Sequence, residues 1–226
     1  MLDRVLEPEV MASHEEALAY DAMDHSEVNR RFVDDLIAAY DQRGETPRGE
    51  MLDLGAGTAQ IPIELCRRID DARVVAVELS AGMLNMAAAN VEAAGLRERI
   101  WLDQVDAKRL PYDDGRFDAV ISNSIVHHIA QPAMVLAEAW RVVRPGGQVL
   151  FRDLLRPRDD ATVRRLVDTY AAGASDHARQ LFEDSLRAAL SLEEIRRLIA
   201  TLAIDPTTVR QTTDRHWTWQ CWRLEA

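Results

Sequence analysis

A glycine-rich turn and a downstream carboxylate are the residues of this sequence best suited to ligand chemistry. The turn reads Asp-Leu-Gly-Ala-Gly-Thr over residues 53–58, between an apolar run and a segment with a helical pattern. Glycines allow a tight turn and a close approach of the backbone to a ligand, which the free N–H groups at a helix start also face. Glu78 ends the next apolar run. It follows the second glycine by about 20 residues, where a carboxylate can accept hydrogen bonds from both hydroxyls of a ribose. The spacing predicts a site for a nucleotide-like ligand.

The turn differs from two common phosphate-binding patterns. The third glycine of the dinucleotide fingerprint would fall at Gln60, and the Lys-Ser or Lys-Thr pair of a P-loop does not follow. A nicotinamide-dependent oxidoreductase is therefore disfavoured, but it stays open as an alternative. Glu78 would then be the ribose ligand of a dehydrogenase.

The segments around these residues predict an α/β fold. Short runs rich in Val and Ile alternate with helical patterns, which is typical of a parallel sheet covered by helices. The last two runs, separated by residues 213–216, predict a closing hairpin whose final strand is antiparallel to the others. The seven predicted strands are residues 51–54, 74–77, 100–105, 117–121, 148–151, 207–212 and 217–224.

Local signals predict where the helices begin and end. Ser80 has the side chain of an N-cap, and the Ala-rich segment after it stops at Gly95. A helix that starts at Pro132 is expected to end at the Arg-Pro-Gly-Gly of residues 144–147. Two helices follow the fifth strand, and Ser191 with Glu194 forms a capping-box pattern before the second of them. Their apolar faces are predicted to be Val163, Leu166, Val167 and Tyr170, and Ile195, Leu198, Ile199 and Leu202.

Five ordered blocks give the chain a family resemblance that covers about residues 45 to 155. The chain resembles the class I S-adenosylmethionine-dependent methyltransferases, and within them the small-molecule group with a methyltransferase type 11 core. The resemblance implies methyl transfer from S-adenosyl-L-methionine to a small acceptor by direct in-line displacement. It also implies a three-layer Rossmann-like α/β fold, with a seven-stranded, mostly parallel sheet and an N-terminal helical cap. The matching blocks are residues 51–58, 77–83, 105–120, 123–129 and 143–147.

The resemblance assigns one set of residues to the methionine part of the cofactor. The backbone of Gly55, Ala56 and Gly57 would approach it, and Asp53 would support that loop or bind the amino group. Asn123, at the end of the fourth strand, would lie near the sulfonium. Because the sulfonium is a cation, an acidic pocket suits this cofactor better than a phosphate cradle.

A second set of residues is assigned to the adenosine part. The resemblance implies that Glu78 binds the ribose hydroxyls and that Leu79 and Met83 lie against the adenine. Asp106, together with the backbone of Ala107, would bind the exocyclic amine at the edge of the adenine.

The whole chain is predicted to be a single methyltransferase domain. Residues 1–45 would form a helical cap or lid, residues 46–155 the cofactor-binding core, and residues 156–226 the C-terminal helices and closing hairpin.

The predicted cap contains the helical pattern Val28, Phe32 and Leu36. In related enzymes such a cap closes over the cofactor, so Tyr20 and Asn29 are candidates for contact with it. Ordinary helix surface is the alternative for both residues.

Three residues outside the cofactor motifs are candidates for catalysis. His128 follows the fourth strand, where a structural role is the alternative to contact with the acceptor. A metal pair with His127 is disfavoured because adjacent residues point apart in an extended chain and no cysteine or acidic cluster completes it. Asp153, at the rim of the fifth strand, would hold a substrate cation, accept a proton or form a salt bridge. His216 falls on the ligand side if the sixth strand is parallel.

Composition limits the partners. The formal net charge of −11 and the pI near 5.0 oppose sequence-independent binding of nucleic acid. No apolar run approaches the roughly 18 residues that span a bilayer, and the N-terminus lacks a secretory pattern, so we expect a cytoplasmic protein with no membrane segment. Cys66 and Cys221 predict neither a disulfide framework nor a zinc cage. The oligomeric state stays open, and a catalytically silent S-adenosylmethionine-binding protein is a further alternative.

Overall fold

The computed structural model describes residues 2–7 and 26–225, so Tyr20 lies outside the described residues. Seven strands form one sheet with the order β3-β2-β1-β4-β5-β7-β6. β7 is antiparallel to both of its neighbours and the other pairs are parallel, which confirms the predicted sheet. The strands are β1 (Gly49–Leu54), β2 (Ala72–Glu78), β3 (Ile100–Gln104), β4 (Phe117–Asn123), β5 (Val143–Leu154), β6 (Val209–Gln211) and β7 (His216–Trp222).

Seven helices connect and cover the strands in the described part of the chain. Ser80 caps the third helix through Met83 N, and Ser191 with Glu194 forms the predicted capping box of the seventh. None of the described helices has the length and apolar character needed to cross a membrane. The helices are α1 (Ser26–Asp41), α2 (Gln60–Arg68), α3 (Ala81–Ala93), α4 (Pro132–Val142), α5 (Asp160–Tyr170), α6 (Asp176–Ala188) and α7 (Leu192–Thr201), with 3-10 turns at Val126–His128 and Pro206–Thr208.

By their contacts, the described residues fall into two units. The first unit contains β1 to β4 and the second contains the three C-terminal helices. The first unit comprises residues 26–123, 138–150 and 221–225, and the second comprises residues 2–7, 124–137 and 151–220. The single domain over the whole chain stays a prediction.

Within the first unit, α1 contributes to the core. Phe32 and Leu36 are fully buried among side chains of β1, β2 and β4. The predicted pattern was wrong at one position, because Val28 is 38% exposed whereas Asn29 is buried. Residues 29, 32, 33 and 36 have the i, i+3, i+4, i+7 spacing of one helix face, and residue 28 lies beside that face.

Within the second unit, α5 and α6 bury a smaller apolar cluster. Val163, Leu166 and Val167 of α5 are buried, as the sequence pattern predicts. They share a cluster with Leu186 of α6, a helix that was not predicted, so the expectation of two helices after the fifth strand was wrong. Tyr170 belongs to the predicted face but is 45% exposed, and its hydroxyl donates to Asp214 at 2.9 Å. Its phenol therefore has a polar partner at the surface.

The fifth strand begins earlier than the sequence predicts. The Arg-Pro-Gly-Gly segment, residues 144–147, ends α4 as expected but lies within β5. Its backbone is paired, since Gly146 N donates to Arg223 O at 2.7 Å and Arg223 N donates to Gly147 O at 2.8 Å. A partner strand therefore extends residues whose composition is typical of a turn.

The hairpin strands also differ at their ends from the predicted runs. β6 is shorter than residues 207–212 because Asp205 caps the 3-10 turn Pro206–Thr208 that precedes it. β7 starts one residue early, at His216, and buries Trp217 and Trp219 completely.

Candidate functional site

The glycine-rich loop after β1 is fixed to the end of β2. Gly55 and Gly57 have positive φ angles of 69° and 54°, a conformation that favours glycine. The N–H groups of Gly55 and Ala56 donate to Val77 O at 2.9 and 3.0 Å. Among the described residues, no side chain caps the start of α2 at Ala59.

Glu78 is held against this loop. Its Oε2 accepts from Gly57 N at 3.1 Å, and its Oε1 accepts from Leu79 N at 2.8 Å and Ser80 N at 2.9 Å. A carboxylate has about four acceptor sites, so Glu78 keeps capacity for a further donor. The structure thus brings the glycine turn and Glu78 together, as their spacing predicts.

A cleft opens between the loop, the first turn of α2, the inner face of α1 and the end of β4. Asp53 lies at its base with only 2% of its surface exposed, and Asn123 lies at the end of β4. The residues that line the cleft are Asn29, Asp53, Gly55, Ala56, Gly57, Thr58, Gln60, Ile61 and Asn123.

Two buried oxygens in this cleft have no hydrogen-bond partner within the described structure. They are Oδ2 of Asp53 and Oγ1 of Thr58. Burial, and then the charge of the Glu78 carboxylate, raises the pKa of Asp53 well above its usual range. A buried carboxyl with a free oxygen is suited to a cationic ligand, because a nearby positive charge both satisfies the oxygen and favours the ionised form.

The remaining predicted cofactor residues lie beside the ends of β2 and β3. Met83 is buried in the first turn of α3, and Leu79 is 37% exposed at the turn before it. Asp106 and Ala107 follow β3, and Asp106 Oδ1 accepts from Lys108 N at 2.9 Å and lies 3.3 Å from Lys108 Nζ. None of these four predicted residues lines the cleft described above, so their contacts with a cofactor stay predictions.

The sequence analysis missed several lining residues. Thr58, Gln60 and Ile61 were given no role, although Thr58 belongs to the quoted glycine motif. Asn29 was considered only as a lid candidate. Its spacing of three residues from the buried Phe32 was the available signal for an inward position on α1.

In the second unit, Asp153 lies in the interior. It is 1% exposed, whereas the sequence analysis placed it at a rim, and this placement was wrong. Its Oδ2 accepts from Val126 N at 2.6 Å, and its Oδ1 accepts from Leu154 N at 2.6 Å and lies 2.6 Å from His127 Nδ1. Direct contact with an acceptor would require these bonds to break.

Glu7 joins both histidines of the 3-10 turn. Its Oε1 lies 3.0 Å from His128 Nδ1 and 3.6 Å from His127 Nε2, and Ser185 Oγ donates to the same oxygen at 3.1 Å. We call Glu7, His127 and His128 the His–Glu cluster. Burial opposes a charge on His127, yet the carboxylates of Asp153 and Glu7 raise its pKa above the ordinary value. No sequence signal pointed to Glu7, because it is remote from the histidines along the chain.

The expectation that the two histidines point apart was wrong. It assumed an extended chain, whereas residues 126–128 form a 3-10 turn and the two ring centroids are 4.0 Å apart. Glu7 is the acidic partner of the two histidines, and it was not identified from the sequence.

His216 opens β7 in the same unit and is partly buried. Its Nδ1 lies 2.9 Å from Thr213 Oγ1. Burial, followed by the charges of Arg215 and Arg152, lowers the pKa of His216 to about 4. The imidazole is therefore neutral near pH 7, and its role in catalysis stays a prediction.

Comparison with known proteins agrees with the fold. A profile of the family described as Methyltransferase domain matches residues 52–151. The chain is 31% identical over 184 residues to the malonyl-[acyl-carrier protein] O-methyltransferase of Geobacter sulfurreducens. The aligned residues cover 80% of this chain and 67% of that enzyme. It is 38% identical over 112 residues to the demethylmenaquinone methyltransferase of Mycolicibacterium gilvum. This alignment covers 50% of this chain and 45% of that enzyme.

A solved structure shows the same fold. The plantazolicin methyltransferase BpumL, in complex with S-adenosylhomocysteine, superimposes with a TM-score of 0.67 over 83% of this chain and 68% of that chain, at 15% identity. The chain belongs to the S-adenosylmethionine-dependent methyltransferases. Its cofactor is S-adenosyl-L-methionine, and the family resemblance drawn from the sequence is confirmed.

Proposed function

We propose that this chain transfers the methyl group of S-adenosylmethionine to a small-molecule acceptor, with the methionine part of the cofactor in the cleft of the first unit. The observation that carries the proposal is the buried Oδ2 of Asp53, which has no partner within the described structure. The cofactor has an amino group that is protonated at neutral pH, and this cation would satisfy the oxygen.

The other residues of the first unit support the same placement. The backbone of residues 55–57 lines the cleft without side chains that would fill it, apart from the methyl of Ala56. Glu78 has its orientation fixed by three backbone N–H groups, so it is prepared to accept from ribose hydroxyls. Asp106 is proposed to accept from the exocyclic amine of the adenine, and Asn123 to lie near the sulfonium.

When bound, the cofactor supplies an electrophilic methyl group on a positively charged sulfur. The residues of this chain would bind and orient it, and positioning can supply much of the acceleration of a displacement. A general base is needed only if the acceptor is protonated at working pH. His128 and His216 are the candidates for that task, whereas the buried contacts of Asp153 suit a role in positioning His127.

The acceptor is proposed to be small because the formal net charge of −11 opposes binding to a nucleic acid. The two relatives compared above are named for malonyl-[acyl-carrier protein] and for demethylmenaquinone. They differ in acceptor, so the acceptor atom is left to experiment.

The site can be tested by titrating Glu78→Gln with S-adenosylmethionine in a calorimeter. Loss of a charged acceptor for the ribose hydroxyls is expected to weaken binding by about 1–3 kcal/mol, roughly fivefold to 150-fold. Glu98→Gln, at an exposed glutamate, is the matched control and should bind like the parent chain. Unchanged affinity in the Glu78 variant would remove this residue from the site.

The transfer itself can be tested with cofactor labelled in the methyl group and a fractionated metabolite extract. We expect label to enter a low-molecular-mass fraction. Label recovered only in the cofactor, despite tight binding, would instead indicate a protein that binds S-adenosylmethionine without catalysis.

A further inference from the structure

The His–Glu cluster of the second unit has a donor set that the cofactor cleft does not explain. A metal ion bound there would exclude His128 as a general base and leave His216 as the candidate. Its three members offer two imidazole nitrogens and one carboxylate oxygen, and all of these atoms lie within 4.8 Å of one another. Two histidines and one glutamate, with a position left for water, are a ligand set that zinc uses in proteins. We propose that Glu7, His127 and His128 form a binding site for one divalent transition-metal ion, with Zn²⁺ as the best match.

The distances suit such an ion. Ligand atoms at about 2.0–2.2 Å from a tetrahedral zinc lie roughly 3.3–3.5 Å from one another. Glu7 Oε1 lies 3.0 Å from His128 Nδ1 and 3.6 Å from His127 Nε2. These two distances are within a few tenths of an ångström of those around a tetrahedral ion, and the two imidazole nitrogens lie within 4.8 Å of each other.

Asp153 supplies the outer contact that a metal-binding histidine commonly has. Its carboxylate lies 2.6 Å from His127 Nδ1 and can only accept there when it is ionised, so Nδ1 carries the hydrogen. In the neutral ring the lone pair then lies on Nε2, which is 3.6 Å from Oε1 of Glu7. A metal ion can lie between these two atoms in the place that a proton would otherwise occupy.

The His–Glu cluster is accessible to an ion, and nearby carboxylates would balance the charge of that ion. His128 is 23% exposed and Glu7 is 12% exposed, so the cluster is open on one side. The carboxylates of Glu7 and Asp153 would offset the charge of a divalent ion. Arg4, the nearby cation, is already bound by carbonyl oxygens: it donates to Ala188 O at 2.6 Å and to His127 O at 3.1 Å.

A metal ion here would have a definite structural effect. It would join residue 7 of the N-terminal segment to the turn that follows β4, two parts of the chain that are distant in sequence. The direct contacts of Glu7 and Arg4 already bring these segments together, and the ion would strengthen that connection.

The test is a zinc titration of the full chain after dialysis against a chelator. We expect one Zn²⁺ per chain, with binding weakened by more than about 100-fold in Glu7→Gln and His128→Ala, since loss of an outer contact alone weakens metal binding by about 10–100-fold. His177→Ala, at an exposed histidine of α6, is the matched control and should bind like the parent chain. No stoichiometric binding by the parent chain, or equal binding by all four proteins, would overturn the proposal.

A second measurement covers the case in which a variant fails to fold. Co²⁺ added to the parent chain should give the intense visible absorption of a tetrahedral ion with nitrogen and oxygen ligands, and Zn²⁺ should abolish it by competition. A weak octahedral spectrum, or one that Zn²⁺ does not displace, would count against the site without reference to any variant.

Discussion

Asp53 is the residue on which the account of cofactor binding depends most. A buried carboxylate oxygen without a hydrogen bond is unfavourable, and folded proteins satisfy most such groups. The place of Asp53 at the base of the cleft, next to the glycine loop, gives the unfavourable burial of this oxygen a functional explanation. In the proposed complex, the amino group of the cofactor provides the positive charge that this oxygen lacks among the described residues.

The substitution Asp53→Asn separates the effect of this residue on cofactor binding from its effect on stability. We expect S-adenosylmethionine to bind more weakly by about 1.5–3 kcal/mol, because a hydrogen bond to a charged group is lost. Without cofactor, the free energy of unfolding at neutral pH should be equal or higher, because no buried charge has to be desolvated. Calorimetric titration and urea denaturation check the two parts. Asp71→Asn, at an exposed aspartate, is the control, and a variant that binds as tightly as the parent would contradict the role of Asp53.

The raised pKa of Asp53 also predicts a pH dependence of binding. A cation beside the carboxylate favours the ionised form, so the pKa in the complex is lower than the pKa in the free protein. Binding therefore releases a proton, and affinity should rise with pH between these two values and then level off. Titrations in two buffers with different ionisation enthalpies measure the proton release. Proton uptake, or a release that persists in Asp53→Asn, would contradict the prediction.

At the scale of elements, the approach of β5 to β4 depends on a glycine. A Cβ atom at Gly147 would lie 2.8 Å from Asp118 O, 2.8 Å from Val143 Cγ2 and 2.9 Å from Arg144 O. Two of these neighbours are backbone atoms, which cannot move aside as a flexible side chain would. The Arg-Pro-Gly-Gly segment therefore has a packing function in addition to ending α4.

The substitution Gly147→Ala should accordingly destabilise the chain by about 1–3 kcal/mol, the usual cost of overpacking. Gly173→Ala is the matched control, since a Cβ atom there would meet nothing within 4 Å. Urea denaturation of the two variants measures the difference. Equal stabilities would show that β4 and β5 can separate enough to admit a methyl group.

Features that depend on neighbours along the chain could be predicted from the sequence. The Ser80 cap, the capping box of Ser191 and the contact of Glu78 with the glycine turn all follow from local spacing. The seven strands and the antiparallel direction of the last one could also be predicted, because periodicity and turns are local signals.

Features that depend on distant partners could not be predicted. The burial of Asp153 results from its contacts with the turn at residues 126–128, and the pairing of Gly146 results from Arg223. Glu7 meets the histidines only through the fold. In each case a side chain or backbone group far away in sequence changes what the local pattern suggests.

At the scale of the whole molecule, the charge and the fold agree with the proposed chemistry. The net charge of −11 favours a cationic cofactor over polyanionic partners. The fold, in which β7 lies between β5 and β6, is similar to that of BpumL.

The most direct test of the central claim is calorimetric titration of the purified chain with S-adenosylmethionine, S-adenosylhomocysteine and NADH in parallel. The account predicts that the first two bind at one site per chain with micromolar affinity and that NADH does not bind. Binding of NADH alone would contradict the account and would make Glu78 the ribose ligand of a dehydrogenase.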